Sequence, residues 1–152
     1  MARRLSEHRH TWRATRAQAR PTLAPMTESR LRIGRAAESF VADRLADTGW
    51  QIVERNARTR FGELDIVALD GATLVFVEVK AGRQGQQLGP ERPVLAIGPR
   101  KQRQVRRLAT AWMAERRLAG GPRYSGIRFD AVGVTFDRRG SVVDLEHLEG
   151  AF

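Results

Sequence analysis

Lys80 and Lys101 are the two lysines among 27 basic residues; the rest are arginine. In such a chain a lysine marks a place where a compact ammonium on a flexible stem serves and a planar guanidinium does not. Lys80 ends the run Val75-Phe76-Val77-Glu78-Val79-Lys80, which apart from its two charges is pure hydrophobic strand. Asp65 lies thirteen residues before Glu78, on the preceding strand-like run. Two carboxylates packed side by side repel, and each loses hydration on burial. A bound Mg²⁺ (or Mn²⁺) removes that cost and takes oxygen ligands. Asp65, Glu78 and Lys80 are therefore the candidate parts of a metal site that hydrolyses phosphodiesters. The alternative is an edge salt bridge between Glu78 and Lys80, with the acids facing water.

The elements around these residues must bring them together. Strands are expected over 63–69 and 73–80, joined at Asp70-Gly71, a strong hairpin signal. Strand alternation puts Leu64, Ile66 and Ala68 with Val75, Val77 and Val79 on one wholly apolar face. The other face carries Glu63, Asp65, Val67 and Leu69 with Leu74, Phe76, Glu78 and Lys80; it is apolar near the turn and charged at the far end. An even loop keeps Asp65, Glu78 and Lys80 on one side, whereas an odd loop without a bulge would separate them. With both faces largely apolar, the sheet belongs between helices.

Two helices are expected. The first starts at Thr27 and stops at Gly49. Within it Leu31, Glu38 and Leu45 fall nearly in line, so Glu38 interrupts an apolar stripe, with room left by Gly34. Glu38 is read as facing the charged end of the sheet; the alternative is a surface Glu paired with Arg35 or Arg44. The second helix opens at Pro99 and runs to about Leu118 before Gly120-Gly121-Pro122. Lys101 stands one turn before Val105, on the inward edge near the helix N-terminus, where phosphate is attracted. Arg100, Arg103, Arg106 and Arg107 flank it; they either hold a nucleic-acid backbone or form a solvated face. A short strand at 50–54, a basic connection at 56–60, a mobile loop at 81–93 and strands at 127–136 and 142–148 complete the order α-β-β-β-α-β-β.

At 152 residues the chain supports one domain with a real core, expected over 28–152. Residues 1–27 read as a basic, disordered tail, alternatively a phosphate-tracking arm or a stretch preceding a start at Met26. The absence of cysteine excludes disulfides and thiolate zinc sites. No apolar run reaches the roughly 20 residues of a membrane span, and no secretory signal is visible, so a cytoplasmic location is expected. The net charge of +10 fits a polyanion partner, nucleic acid foremost. His8, His10 and His147 stand away from the motif, which favours an oxygen-ligated cation over zinc.

These residues resemble the PD-(D/E)XK nuclease superfamily, and more closely its YraN-like uncharacterised bacterial family, related to archaeal Holliday-junction resolvases. The resemblance rests on Gly34 with Glu38, Arg55-Asn56-Ala57-Arg58, Gly62-Glu63-Leu64-Asp65-Ile66-Val67-Ala68 and Leu74-Val75-Phe76-Val77-Glu78-Val79-Lys80. It covers roughly residues 30 to 148, with Leu64 where the superfamily's opening proline stands. It implies an α/β fold, a restriction-endonuclease-like α-β-β-β-α-β core with a mixed central sheet flanked by helices. It implies metal-dependent cutting of DNA, branched or repair intermediates included, and action as a homodimer. On that pattern Asp65, Glu78 and the Val79 carbonyl hold the metal, Lys80 orients or helps deprotonate the attacking water, and Glu38 is the first-helix acid. Lys101 or Gln102 matches the accessory polar residue of the following helix, Glu63 is a further accessory candidate, and Arg55, Asn56 and Arg58 join the candidate nucleic-acid contacts. A binding module that keeps the fold without cutting, and an interaction subunit for an acidic protein, remain the competing readings.

Overall fold

The computed structural model describes residues 9–12, 26–85 and 92–152. Most of the basic tail, His8 included, and residues 86–91 of the expected loop lie outside the described residues. In chain order the elements are β1 (Arg9–Trp12), α1 (Met26–Asp47), β2 (Gln51–Thr59), β3 (Gly62–Asp70), β4 (Thr73–Arg83), a 3-10 turn (Pro93–Ala96), α2 (Pro99–Leu118), β5 (Gly126–Phe136) and β6 (Val142–Leu148). Among the described residues six strands form one sheet in the order β1-β6-β5-β4-β3-β2. Only the β4–β5 pair is parallel, so the sheet is mixed and the expected α-β-β-β-α-β core is present. β1 pairs antiparallel with β6, adding an edge strand for which the sequence offered no signal.

Each helix covers one face. Ala37, Val41, Ala42 and Leu45 of α1 pack on Ile66, Ala68, Val75, Val77, Val132 and Val134. Val105, Leu108, Ala109 and Trp112, at helical spacing along α2, pack on Leu64, Val67, Leu74 and Phe76. Trp112 meets Phe76 edge-on at 5.8 Å between ring centroids, while its indole N–H donates to Glu54 at 2.8 Å. Pro99 in the first turn of α2 and Arg116 and Arg117 in its last turn suit a helix's ends. The 3-10 turn lies flat against two strand glycines: a Cβ on Gly133 would come 2.8 Å from the Val94 nitrogen, and one on Gly82 2.6 Å from Pro93 Cγ.

Three expectations about extent are corrected. β4 continues past Lys80 to Arg83, paired with β5 throughout, because small Ala81 and Gly82 let the 3-10 turn pack on them. β2 runs to Thr59 and absorbs most of the basic connection; as the sheet's edge it needs no unbroken apolar alternation. Leu64 belongs to the α2 layer with Ala57, its partner on β2, and not to the face of Ile66 and Ala68. The ribbon rotates between them, where Asn56 adopts φ 49 opposite Asp65.

Candidate active site

The hairpin turn has two residues, since Asp70 pairs with Thr73. The loop is therefore even, and the ladder runs as far as the pair Ile66 with Val77, the residues next to Asp65 on β3 and Glu78 on β4. Beyond that pair β3 and β4 part. The Val79 N–H then donates to Asp65 Oδ2 at 2.8 Å in place of a ladder bond. A strand residue's N–H and C=O project from the same edge, so the Val79 carbonyl opens toward the same gap.

Glu78 lies on the α2 side of β4, a central strand, with its side chain 2% exposed. The edge salt bridge facing water is thereby excluded. Two ammoniums meet the same oxygen, Glu78 Oε1: Lys101 Nζ at 3.0 Å and Lys80 Nζ at 3.5 Å. Their side chains are 29% and 37% exposed, so each keeps a path to solvent. Burial pushes the Asp65 carboxyl up to about 7; the Glu78 carboxylate adds to the rise and that of Glu38 adds less, while the Val79 N–H and Lys101 oppose it. Asp65 thus sits where loss of water and like charge both disfavour its ionised form.

Glu38 is brought to this end of the sheet. Its Oε2 accepts a 2.6 Å hydrogen bond from Asn56 Nδ2, and Arg55 donates to Ser39 Oγ at 2.6 Å. Asn56 and Arg55, expected to meet nucleic acid, thus tie β2 to α1. The space beside Gly34 is open, with nothing within 4 Å of a Cβ built there.

Other expected residues stand apart. Glu63 pairs outward with Arg58 at 3.5 Å, on exposed side chains. Gln102 donates to the Ile97 carbonyl at 3.1 Å and steadies the start of α2. Arg100, Arg103, Arg106 and Arg107 are all exposed on α2, with Arg106 over the Phe129 ring at 5.8 Å and Arg107 over Phe61 at 4.0 Å.

Among the described residues no group of three His, Cys, Asp or Glu side chains stands ready to hold a metal. The donors that do come together are the carboxylates of Asp65 and Glu78, both acidic oxygen ligands. That set fits a hard divalent cation such as Mg²⁺ or Mn²⁺, and positive charge there would relieve the crowding that lifts Asp65.

A second polar cluster went unread in the sequence. Asp130, fully buried on the α1 face, accepts from Arg128 Nε at 2.9 Å and Nη2 at 3.1 Å, from the Gly150 N–H at 2.9 Å, and pairs with His147 Nε2 at 2.8 Å. Its pKa is held below the usual carboxylate value: burial acts to raise it, but the hydrogen bonds from His147, Arg128 and Gly150 win. Arg128 also reaches Asp70 at 3.1 Å and lies over Trp50 at 5.2 Å. A cavity of about 190 Å³ beside it, lined by Val41, Leu45, Trp50, Val132, Leu145 and His147 among others, opens on the sheet face opposite Glu78. The available signal was the i, i+2 spacing of Arg128 and Asp130 on one strand face.

A model of the family described as "Uncharacterised protein family UPF0102" matches residues 37–134. Proteins named "UPF0102 protein" are similar over most of the chain. One from Streptomyces griseus is 47% identical over 118 residues, covering 78% of this chain and 93% of that protein. One from Syntrophotalea carbinolica is 46% identical over 127 residues, covering 84% and 96%. One from Moorella thermoacetica is 42% identical over 127 residues, covering 84% and 100%.

Proposed function

The chain belongs to the UPF0102 family, and from that premise and the geometry of its carboxylates we propose that it is a metal-dependent endonuclease hydrolysing phosphodiester bonds in DNA, branched or repair intermediates included. The observation that carries the reading is the Asp65 carboxylate, held by the Val79 N–H where β3 and β4 part, close enough to Glu78 to feel its charge, with two lysines on Glu78. The resemblance to PD-(D/E)XK nucleases supports it. So does the net charge of +10, which gives an acidic pocket a basic surround suited to a polyanion.

Asp65, Glu78 and the Val79 carbonyl would hold Mg²⁺ or Mn²⁺, which when bound polarises a phosphoryl oxygen and lowers the pKa of water. Lys80, the more exposed ammonium, stabilises negative charge growing on the phosphoryl oxygens. Lys101, the closer one, orients the buried Glu78 carboxylate. Glu38, clamped by Asn56, adds negative potential at Asp65. Arg100 and Arg103, exposed at the start of α2, hold the nucleic-acid backbone.

One observation favours a second reading, a nucleic-acid-binding module that does not cut: both lysines already balance Glu78 without a cation. Asp65→Ala separates the two. The endonuclease reading requires that this variant lose Mg²⁺-dependent cutting while binding DNA as tightly as wild type. Wild type that binds DNA but releases no product in any metal would establish the binding module instead.

A further inference from the structure

We propose that the tip of the β2–β3 hairpin is a stacking seat for an unpaired nucleobase, formed by the Phe61 ring with the guanidiniums of Arg60 and Arg107. The inference rests on the endonuclease reading and adds a contact that no residue of the carboxylate site provides.

Phe61 is 37% exposed at the hairpin tip. It packs into neither hydrophobic layer of the sheet, and the apolar anchoring of this hairpin to α2 comes from Ala57 and Leu64 against residues such as Leu108. An aromatic ring with no core to fill needs another account. Arg107 Cζ lies 4.0 Å from the ring centroid and Arg60 Cζ 4.6 Å, both on exposed side chains. A planar cation over an aromatic face gains cation–π energy and offers its own plane for stacking. A base enters on the outer face of a guanidinium or takes its place on the ring.

The tip is also held still. The Phe61 N–H donates to Thr59 Oγ1 at 3.1 Å, the Thr59 hydroxyl donates to the Gly62 carbonyl at 3.1 Å, and Gly62 lies against Leu108. Its position suits the chemistry. Arg107 follows Lys101 by six residues on α2, about 9 Å along the helix, a reach that a short stretch of strand covers. Arg58 and Arg103 add exposed positive charge. A nucleobase matches this seat better than an acidic peptide does. The peptide would use the arginines and leave the ring idle, whereas every base has a π-face above an anionic backbone.

The test is binding in EDTA, where cutting does not intervene, of a fluorescent single-stranded oligonucleotide and of an abasic strand of equal length and charge. The proteins are full-length wild type, Phe61→Trp, Phe61→Leu and Phe61→Ala, each checked by thermal melting. Wild type and Phe61→Trp should favour the base-bearing strand. Phe61→Leu, which keeps an apolar side chain for folding, should bind it roughly 5- to 150-fold more weakly, the loss expected for one stacked base, while binding the abasic strand as wild type does. Equal binding of both strands by wild type, or Phe61→Leu indistinguishable from wild type, overturns the stacking seat and leaves the endonuclease reading intact if Mg²⁺-dependent cutting persists. Wild type that neither binds nor cuts any strand overturns both.

Discussion

Replacing Asp65 by Asn leaves an oxygen for the Val79 N–H but removes a charge that the fold holds at a cost. The carboxyl titrates near 3.8 when unfolded and at about 7 in the folded protein. Below 3.8 it is protonated in both states and contributes nothing. As pH rises toward 7 the unfolded chain releases its proton first, so the folded state loses stability, and above 7 the loss is constant. Three pH units at 1.36 kcal/mol each set a ceiling of about 4 kcal/mol. Water reaching the half-buried group reduces this to about 2 kcal/mol. Urea unfolding in EDTA should therefore show Asp65→Asn more stable than wild type by about 2 to 4 kcal/mol at pH 8 and nearly equal to it at pH 4. Mg²⁺ at 100 times its Kd should raise wild type by about 2.7 kcal/mol and the variant by less. An Asn variant no more stable than wild type at pH 8, or equally favoured at both pH values, would refute the electrostatic account of the site.

Three further substitutions test other parts of the structure. Glu78→Gln should lower Mg²⁺-dependent cutting by at least about 100-fold while tightening DNA binding in EDTA, because Lys80 and Lys101 lose their anion; cleavage and anisotropy assays read the two effects. Asp130→Ala leaves His147 and the Gly150 N–H without this acceptor, takes two hydrogen bonds from Arg128, and should cost about 3 to 5 kcal/mol, a fall of about 6 to 20 °C in Tm by calorimetry. Because Asp130 is held below its ordinary pKa, its contribution in wild type is full above about pH 4 and disappears as pH falls through the lowered value. Gly133→Ala drives a methyl into the Val94 backbone and should cost about 1 to 3 kcal/mol in urea.

The carboxylate site was legible because it depends on short-range rules. Alternation sets Glu78 on one face of β4, and the two-residue turn after Asp70 holds the register as far as Ile66 and Val77, which brings Asp65 beside the same end of β4. The place of Lys101 one turn before Val105 points it inward, yet its approach to Glu78, closer than that of Lys80, is a tertiary fact. Leu64 lies in the layer opposite to the one simple alternation predicts, because alternation ignores the rotation at Asn56. An Asn inside a strand was the available clue, since it tolerates positive φ better than most residues. The end of β4 was lost because Ala81-Gly82 reads as loop until the 3-10 turn that lies on it is known. Arg128 and Asp130 share one face of β5, but His147 comes from β6 and Trp50 from the turn between α1 and β2; no local pattern joins these two to the pair.

The most direct measurement is cleavage of labelled branched, flapped, single-stranded and duplex DNA by wild type and Lys80→Ala, in Mg²⁺ or Mn²⁺ and in EDTA. The account predicts product from wild type in the presence of the cation, none in EDTA, and a loss of at least about 100-fold in the variant with DNA binding retained. No product from any substrate in either metal, with wild type and variant binding DNA equally, would contradict it.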